Sequence, residues 1–402
     1  MQRSAVQLIK QYNSDRSPEI LKFKYKAMAE SPFRFLRGTC HLFYYDYAGA
    51  PAIKEDPTSV WLCGDMHIEN FGAYKGNNGL AYFDINDFDE STKAGLSWDL
   101  ARFLVSLQLS TASIGVDLKE IHSLSCTFLN TFTSILRAGK SKTVEAPTAT
   151  GVINTFFEQV TNRSRKKFIE SKTQVVKNKL QLVKSRDHWL LLHKDTEERV
   201  MKAISRWNQA LGEKNIYKLL DIAYRLAGTG SMGLERYVVL AKRNDNYYLL
   251  DFKYAQQASI DLYHTPSAKW ANNAERIIEV QKMTQHVSPA LLQPLQIDGN
   301  WYVMRELQPI EDKLDFSLLN AKKGKLNDVI CTMAEMAASA YLRSSGWMKS
   351  STTDQLIEFG KEQDWHKGLY SFASNYKWQV LDDYAAFMKA YKKDQLIARD
   401  EV

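Results

Sequence analysis

The stretch Gly228-Thr-Gly-Ser-Met-Gly233 does most to decide the fold predicted for this chain of 402 residues. Its G-x-G-x-x-G spacing is a weak signal by itself, because ordinary turns contain it too. The residues that follow are more informative, since Arg236-Tyr-Val-Val-Leu240 has the apolar, β-branched pattern of a strand. A dinucleotide-binding loop would open into a helix at this point. The sequence therefore predicts a β-hairpin that begins with a glycine-rich loop.

The predicted hairpin continues into a second strand, Tyr247-Tyr-Leu-Leu-Asp-Phe-Lys253, and then into a helix over residues 267–286. A lysine at the end of an apolar strand usually reaches the surface along its aliphatic stem. Beneath a glycine-rich hairpin, Lys253 is instead well placed to hold the phosphates of a nucleotide. Glu275 and Glu279 lie on one face of the predicted helix, and either is a candidate to pair with Lys253.

Side chains with metal-binding and proton-accepting chemistry fall in two further stretches, Cys63-Gly-Asp-Met-His-Ile-Glu-Asn-Phe-Gly72 and Tyr82-Phe-Asp-Ile-Asn-Asp-Phe-Asp-Glu90. Gly76-Asn-Asn-Gly79 between them is typical of a tight turn, so the two stretches are expected at opposite ends of a hairpin. Carboxylate and amide oxygens suit Mg²⁺. An aspartate free of the metal could accept a proton from a hydroxyl group, which is the arrangement that phosphoryl transfer requires.

The composition excludes several classes of protein. Hydrophobic residues make up 45% of the chain and charged residues 25%, which excludes disorder and collagen. The four cysteines lie far apart, which argues against a zinc knuckle or a disulfide framework and favours a reducing compartment. No run approaches the roughly 20 apolar residues of a membrane span, and the first residues lack the apolar core of a secretory signal. We therefore expect a cytoplasmic protein without a membrane partner.

The net charge of +7 is concentrated in a basic block, residues 137–202, with 15 lysines and arginines against seven aspartates and glutamates. Such a block is typical of nucleic-acid binding, but it is more often a solvated helical face. Phe168 and Ile169 follow its densest run and resemble core anchors more than base-stacking platforms. We do not expect nucleic acid as a partner.

The order of the predicted elements fits neither alternating βαβ units nor an all-β protein. Strands are expected within residues 58–90, helices from about 98 to 220, strands again within 227–306, and helices from about 327 onward. The fold class predicted is α+β, with a small sheet-rich lobe in the second half of the chain inserted among helices.

These motifs carry a specific resemblance. Cys63 to Asn70 resembles the H-G-D-x-H-x-x-N catalytic loop of aminoglycoside- and choline-kinase-like enzymes, with Cys63 where the first histidine usually stands. Asp87-Phe-Asp89 resembles their metal-binding element, and Trp98-Asp-Leu-Ala101 resembles their later D-L-A helix. From about residue 20 to about residue 390, the chain is similar to a bacterial family named only as domain of unknown function 2252. The resemblance implies a two-lobed, protein-kinase-like fold.

The order of the motifs implies a circular permutation of that fold. In an ordinary kinase the glycine-rich loop precedes the catalytic loop, whereas here Asp65 comes long before Gly228. Residues 1–220 would form the first part of a large helical lobe, 221–310 the small nucleotide-binding lobe, and 311–402 the rest of the large lobe. Permutation is admissible because packing depends on contacts more than on chain order.

The resemblance also implies roles for individual residues. Asp65 would be the catalytic base, or would position the acceptor hydroxyl. Asn70 and Asp87 would bind Mg²⁺, with Asp89 or Asp84 as helpers. The residues expected to hold the nucleotide are Gly228, Gly230, Ser231, Gly233, Lys253, Glu275 and Glu279.

Asp99 and His67 are expected to brace the catalytic loop, with Cys63 packing where the family has histidine. The sequence suggests no role for Arg37.

The function expected from these residues is an ATP- and Mg²⁺-dependent phosphotransferase that acts on a hydroxyl group of a small molecule or protein. A pseudokinase that binds nucleotide without turnover, and an enzyme that transfers AMP, are alternatives. A metal-dependent phosphoesterase is less favoured, because such enzymes use several histidines and often two metals.

Overall fold

The structure, a computed structural model, describes residues 3–53, 55–185, 189–212, 216–266, 268–308, 312–314 and 323–397. The α-helices of these residues are α1 Ala5–Tyr12, α2 Pro18–Met28, α3 Pro32–Gly38, α4 Cys40–Gly49, α5 Ser97–Ser113, α6 Leu118–Ala138, α7 Gly151–Thr161, α8 Arg165–Glu170, α9 Lys194–Gln209, α10 Asn273–Thr284, α11 Lys323–Arg343, α12 Thr353–Lys361 and α13 Trp365–Lys392. The β-strands are β1 Val60–Leu62, β2 Phe71–Lys75, β3 Ala81–Ile85, β4 Thr92–Ala94, β5 Val144–Glu145, β6 Thr173–Val176, β7 Lys179–Leu182, β8 Trp189–Leu190, β9 Lys218–Arg225, β10 Arg236–Arg243, β11 Asn246–Tyr254, β12 Gln293–Ile297, β13 Asn300–Glu306 and β14 Asp312–Lys313. The fold class is α+β, as predicted.

The largest sheet has six antiparallel strands in the order β12-β13-β11-β10-β9-β8. Strands β9 and β10 flank the glycine-rich loop, and β10 pairs with β11 so that Arg236 lies opposite Lys253. Successive side chains of a strand point to opposite faces. One face of the sheet is apolar and packs on α9 through residues such as Tyr237, Leu250 and Phe252. The other face carries Lys253.

A buried charge cluster lies on that second face. Asp251 is 1% exposed and accepts hydrogen bonds from Arg236 Nε (3.0 Å) and Nη2 (2.6 Å). Arg225 on β9 and Arg305 on β13 contact the same carboxylate at 2.8 and 3.6 Å. Burial alone would raise the pKa of Asp251, but the charges of Arg225 and Arg236 outweigh it and hold that pKa well below its usual range. One carboxylate thus ties together four strands of the sheet.

The main hydrophobic core lies in the helical body. It is built from α5, α6, α11 and α13 together with the β2–β3 hairpin, and includes large side chains such as Phe103, Phe128 and Phe387. Helices α1–α4 pack against it as well. Arg3 forms ion pairs with Asp46 (2.5 Å) and Asp383 (2.8 Å), which joins the N-terminal helices to α13.

Most predicted elements are confirmed, and one prediction is wrong. Hairpin β2–β3, helices α5 and α6, strands β10 and β11, and helix α10 all lie where the sequence placed them. The segment up to about residue 220 is not purely helical, because β5 to β8 interrupt it. Its short strands are edge strands or a two-stranded hairpin, whose few residues give little alternation to read.

None of the helices in the described ranges combines the length and the apolar character that crossing a membrane would take.

Asp251→Ala should lower the free energy of unfolding by about 3–5 kcal/mol, because it removes the buried counter-charge that three arginines share. Urea denaturation followed by circular dichroism measures this. Asp245→Ala, in the exposed turn between β10 and β11, is the matched control and should change stability by no more than about 0.5 kcal/mol. Equal losses for the two variants would contradict the structural importance of the cluster.

Candidate functional site

One narrow cleft, with an interior volume of about 50 Å³, gathers residues from the two motif regions that are farthest apart in sequence. Asp65, Asn70, Asp87 and Asp89 line one part of it. Gly228, Gly230 and Ser231 of the glycine-rich loop line another. The remaining lining residues are Tyr12, Arg37, Gly38, Cys40, Gly64, His67, Glu90, Thr229 and Gln256.

Asp65 is held in an unusual backbone conformation. Gly64 has φ +66° and Asp65 has φ +48°, so two successive residues lie in the left-handed region. A Cβ on Gly64 would come 2.0 Å from the carbonyl oxygen of Glu90, so a side chain at this position would collide with the neighbouring loop. The Asp65 N–H donates to Tyr44 Oη (2.6 Å). Strained positions of this kind concentrate at functional sites.

The Asp65 carboxylate is held by Arg102. Arg102 of α5 is fully buried and donates from Nε (2.8 Å) and Nη2 (2.6 Å) to Asp65 Oδ1. Arg102 Nη2 also donates to the carbonyl of Leu36, which fixes the guanidinium (2.7 Å). Burial raises the pKa of Asp65, and the Arg102 charge opposes that rise. Arg102 therefore orients the carboxylate and leaves Oδ2 as the oxygen available to the cleft.

Hydrogen bonds fix the rest of this loop. Asn70 Nδ2 donates to the carbonyl of Asp65 (2.9 Å), and the carbonyl of Asn70 accepts the N–H of Asn86 (2.8 Å). The two motif stretches at the ends of the β2–β3 hairpin are therefore bonded to each other. Because Nδ2 is used, the side-chain oxygen of Asn70 is the atom left to coordinate a cation.

Asp99 and His67 brace the loop. The carboxylate of Asp99 accepts from the N–H of Cys63 (3.0 Å) and from Tyr341 Oη (3.1 Å), and burial raises its pKa to about 6. His67 Nδ1 accepts the N–H of Glu69 (3.1 Å) and so caps the 3₁₀ helix Ile68–Asn70. Burial, with the charge of Arg37, lowers the pKa of His67 well below its usual value. These contacts match the bracing role expected for both residues.

Lys253 connects the six-stranded sheet to the second motif stretch. Its ammonium group forms an ion pair with Asp89 and lies 3.9 Å from Asp87 Oδ1. Burial would raise the pKa of Asp87, but the charges of Lys253 and Arg305 outweigh it and lower that pKa. The pKa of Asp89 is raised by burial and by Asp87, against the opposing charge of Lys253. Asp87, half exposed, is the more open of the two carboxylates.

The expected partners of Lys253 on α10 are placed differently. Glu275 accepts the N–H of Ala271 (3.1 Å) at the start of the helix, and Glu279 pairs with Lys282 (2.8 Å). Both glutamates lie on the partly exposed side of α10, because its buried side carries Arg276 and apolar residues. The structure therefore corrects the expected pairing, because Lys253 pairs with Asp89 and Asp87 instead.

Arg276 makes the contact between α10 and the site. It is 3% exposed and donates from Nη2 to the carbonyls of Asp89 (3.0 Å) and Gln256 (2.9 Å), and from Nη1 to the carbonyl of Ser91. A single side chain thus holds both the loop after Asp87 and the segment after Lys253.

The glycine-rich loop is fixed from outside the sheet. The carbonyl of Gly230 accepts from Arg16 Nη1 and from Lys24 Nζ, both at 2.8 Å, and the carbonyl of Met232 accepts from Arg16 (2.7 Å). Gly233, with φ +97°, packs against the Arg16 side chain instead of lining the cleft. Burial lowers the pKa of Lys24 well below its usual value, and Arg16 adds to this.

Asp84 was expected as a possible helper at the metal site, but it points elsewhere. Its carboxylate pairs with Arg343 of α11 at 2.7 Å, and it is 3% exposed. This carboxylate therefore stabilises the packing of β3 on α11 and is not among the residues that line the cleft.

Three side chains of the cleft carry oxygen atoms of the kind that could hold a metal ion. Within the described ranges, no three histidine, cysteine, aspartate or glutamate side chains converge on one metal position. The cleft offers Asp87, Asp89 and the amide oxygen of Asn70. Magnesium commonly takes one or two protein carboxylates and completes its shell with water and substrate phosphates. Lys253 already places a positive charge beside both carboxylates.

Sequence reasoning missed several residues of the cleft. Tyr12, Arg37 and Cys40 come from the N-terminal helices, whose sequence has no motif of recognised chemistry. Glu90 and Gln256 lie next to or near residues that were chosen. Glu90 is the more notable, because it accepts from Ser259 Oγ (2.7 Å) and N–H, and burial raises its pKa to about 7. Its position next to Asp89 in the sequence is the signal that could have identified Glu90 as a site residue.

A family model described as an uncharacterized protein conserved in bacteria, DUF2252, matches residues 16–390. No curated protein and no solved structure matches the chain.

The raised pKa of Glu90 predicts a pH-dependent stability. The folded protein keeps a proton on Glu90 up to about pH 7, whereas an ordinary glutamate loses it near 4.5. The contribution of Glu90 to stability therefore falls as the pH rises between these values. Glu90→Gln cannot ionise, so its melting temperature relative to wild type should rise from pH 4.5 to 7. Melting curves of both proteins across this range test the prediction, and a constant difference would contradict it.

Proposed function

The chain belongs to the family of uncharacterised bacterial proteins designated DUF2252, and for this member we propose an ATP- and Mg²⁺-dependent phosphotransferase that acts on a hydroxyl group. The observation that carries the proposal is the shared cleft. Asp65, Asn70 and Asp87 meet a glycine-rich loop there, although these two parts of the chain are far apart in the sequence.

The order of the elements around the cleft supports a kinase-like fold. The glycine-rich loop joins β9 to β10, Lys253 lies on the next strand, β11, and helix α10 follows. Protein kinases have the same order of glycine-rich loop, lysine-bearing third strand and helix. Here, however, Arg276 on α10 holds the metal-binding stretch, whereas the kinase helix supplies a glutamate to the lysine. The circular permutation is part of the proposal.

At the phosphate donor, the chain would supply charge and position. Lys253 would exchange its contact with Asp89 for the phosphates of ATP. The N–H groups of the glycine-rich loop would cover these phosphates from the other side. When bound, Mg²⁺ supplies charge neutralisation between the phosphates and the carboxylates, and Asn70 and Asp87, with Asp89, are the residues that would hold it.

At the acceptor, Asp65 would be the base. The acceptor oxygen forms a bond to the γ-phosphorus, the bond from that phosphorus to the β–γ bridging oxygen breaks, and ADP leaves with those electrons. The proton of the hydroxyl passes to Asp65 Oδ2, since Oδ1 is held by Arg102. The charge of Arg102 opposes the effect of burial and favours the ionised carboxylate, which can accept that proton.

The alternatives have less support. His67 is the single histidine among the described residues that line the cleft, and its Nδ1 is used by the backbone, which is poor chemistry for a two-metal phosphoesterase. Transfer of AMP would use the same phosphate-binding residues with the nucleotide reversed. The identity of the released product, ADP or pyrophosphate, distinguishes phosphoryl transfer from AMP transfer.

Binding of ATP with Mg²⁺ should stabilise the protein. A ligand at 100 times its dissociation constant adds roughly 2.7 kcal/mol to the free energy of unfolding. We expect a rise in melting temperature with ATP and Mg²⁺ together, and a smaller rise with ATP alone, because Asp87 and Asp89 then repel the phosphates. The absence of any shift with millimolar nucleotides would refute the proposed function.

Three substitutions separate the roles of the site residues. Asp87→Ala should abolish the Mg²⁺-dependent part of nucleotide binding, because it removes the more exposed carboxylate. Asp65→Asn should retain ATP affinity and lower turnover by roughly 10²- to 10⁴-fold, as expected for loss of a general base. Lys253→Met should weaken nucleotide binding without unfolding the protein, since methionine keeps the apolar stem. Nucleotide binding and ATP consumption are measured for each.

Matched controls are available on the same sheet. Lys218→Met on β9 removes an exposed lysine, and Asp245→Ala removes an exposed aspartate. Both should behave like wild type. If Asp65→Asn lost ATP binding while Asp87→Ala kept it, the roles of base and metal ligand would be reversed.

A further inference from the structure

A groove of about 870 Å³ adjoins the cleft on the side of the catalytic loop. Helices α3, α7 and α11 and strand β14 contribute to it, and the 3₁₀ helix that contains Glu69 is one wall. The charged residues that line it are Arg34, Glu69, Arg163, Asp312, Lys313, Lys325 and Asp328. Its volume is within the range of small-molecule sites.

A single ion-pair chain separates groove and cleft. Arg37, which lines the cleft, and Lys313, which lines the groove, both contact the same oxygen of Glu69, Oε2. Glu69 lies between His67 and Asn70 in the catalytic loop. A ligand that occupies the groove against this chain is therefore one side chain away from the cleft that contains Asp65.

Positive charge is in excess at this point, which we call the basic junction and define as Arg34, Arg37 and Lys313. Glu69 contacts Arg37 and Lys313, and Glu30 pairs with Arg34. Burial and the charges of Arg37 and Arg34 lower the pKa of Lys313, although the charge of Glu69 opposes them. Burial would raise the pKa of Glu69, but the charges of Arg37, Lys313 and Arg34 together lower it. Two carboxylates, Glu69 and Glu30, thus face three cations.

The other charges of the groove do not reverse this excess. Asp312 pairs with Arg163 at 2.7 Å, so its charge is already matched. The negative charge of Asp328 on α11 is balanced by the positive charge of Lys325, about one turn earlier on the same helix.

The junction is open to an incoming ligand. Lys313 and Arg34 keep 44% and 37% of their side chains exposed. Glu30 lies 3.5 Å from Arg34, but more than half of this glutamate is exposed, so water screens the pair and a ligand can displace it.

We propose that the basic junction binds the acidic group of the acceptor substrate, which is a small hydroxyl-bearing molecule that carries a carboxylate or a phosphate. This inference rests on the proposed function, whose acceptor it specifies. The acidic group would lie against Arg34 and Lys313, and the hydroxyl group would extend past Arg37 towards Asp65. A cationic acceptor such as choline would meet like charge at the junction.

Binding and transfer are tested separately. The probes are glycerol 3-phosphate and glycerate as anionic acceptors, glycerol as the neutral one and choline as the cationic one. Calorimetry measures affinity, and transfer from ATP labelled at the γ-phosphate measures the reaction. We expect the two anions to bind at least tenfold more tightly than glycerol or choline, and to be the probes that accept phosphate. A difference between the two anions identifies carboxylate or phosphate as the preferred group.

Variants test whether the junction is responsible. Arg34→Gln and Lys313→Gln should each weaken anion binding about tenfold and leave the affinity for ATP with Mg²⁺ unchanged, since a hydrogen bond between charged groups is worth about this much. Glu69→Gln should act in the opposite direction and tighten anion binding, because it removes the competing carboxylate. Lys167→Gln, an exposed lysine on α8, is the control and should bind like wild type.

The outcomes are distinct. Tighter binding of choline than of the anions, or anion binding that Arg34→Gln, Lys313→Gln and Glu69→Gln all leave unchanged, would overturn the acceptor class. ATP turnover with a cationic acceptor would retain the proposed function and overturn this inference. Anion binding that follows the variants, without any binding of ATP, would retain the anion site and overturn the proposed function.

Discussion

The ammonium group of Lys253 has to balance two neighbouring carboxylates, Asp89 and Asp87, and the geometry of the cleft depends on this balance. Two carboxylates close together repel each other strongly unless a cation lies between them. The cation comes from β11 and the carboxylates from the end of the β2–β3 hairpin, so the sheet and the helical body meet at this point. Arg276 holds the same two segments through their carbonyls, and fixes the approach of α10. The glycine-rich loop, which continues from the same sheet, lines the same cleft as Asp65.

The parts of the fold that depend on local pattern were predictable from the sequence. Strands β10 and β11 are apolar runs on either side of a turn, and α5 and α6 have apolar residues at helical spacing. Asp65, Asn70 and Asp87 stand in recognisable motifs. Their meeting with Gly228 in one cleft was inferred from a resemblance and could not be derived from spacing. The short strands β5 to β8 escaped prediction because two to four residues are too few to show a period.

The partners of the site residues were the least predictable feature. Glu275 and Glu279 were chosen for Lys253 because they share a helix face, but a face shared in sequence does not say which face is buried. Arg276, between them, is the buried residue of α10 that reaches the site. Arg16, in the turn between α1 and α2, and Lys24, on α2, reach the glycine-rich loop from a stretch without any motif, far away in the sequence. Contacts over such separations leave no periodic signature in a single chain.

The hydrogen bonds from Arg16 and Lys24 to the glycine-rich loop have a consequence for the chain while it is being synthesised. These cations are synthesised well before Gly230, whose carbonyl accepts their hydrogen bonds. At a translation rate of about 5–20 residues per second, the ribosome takes about 10–40 s to supply that carbonyl. During this interval Lys24, which is fully buried in the folded protein, lacks its acceptor, the carbonyl of Gly230. Nascent chains that end before Gly230 therefore cannot contain the complete cleft.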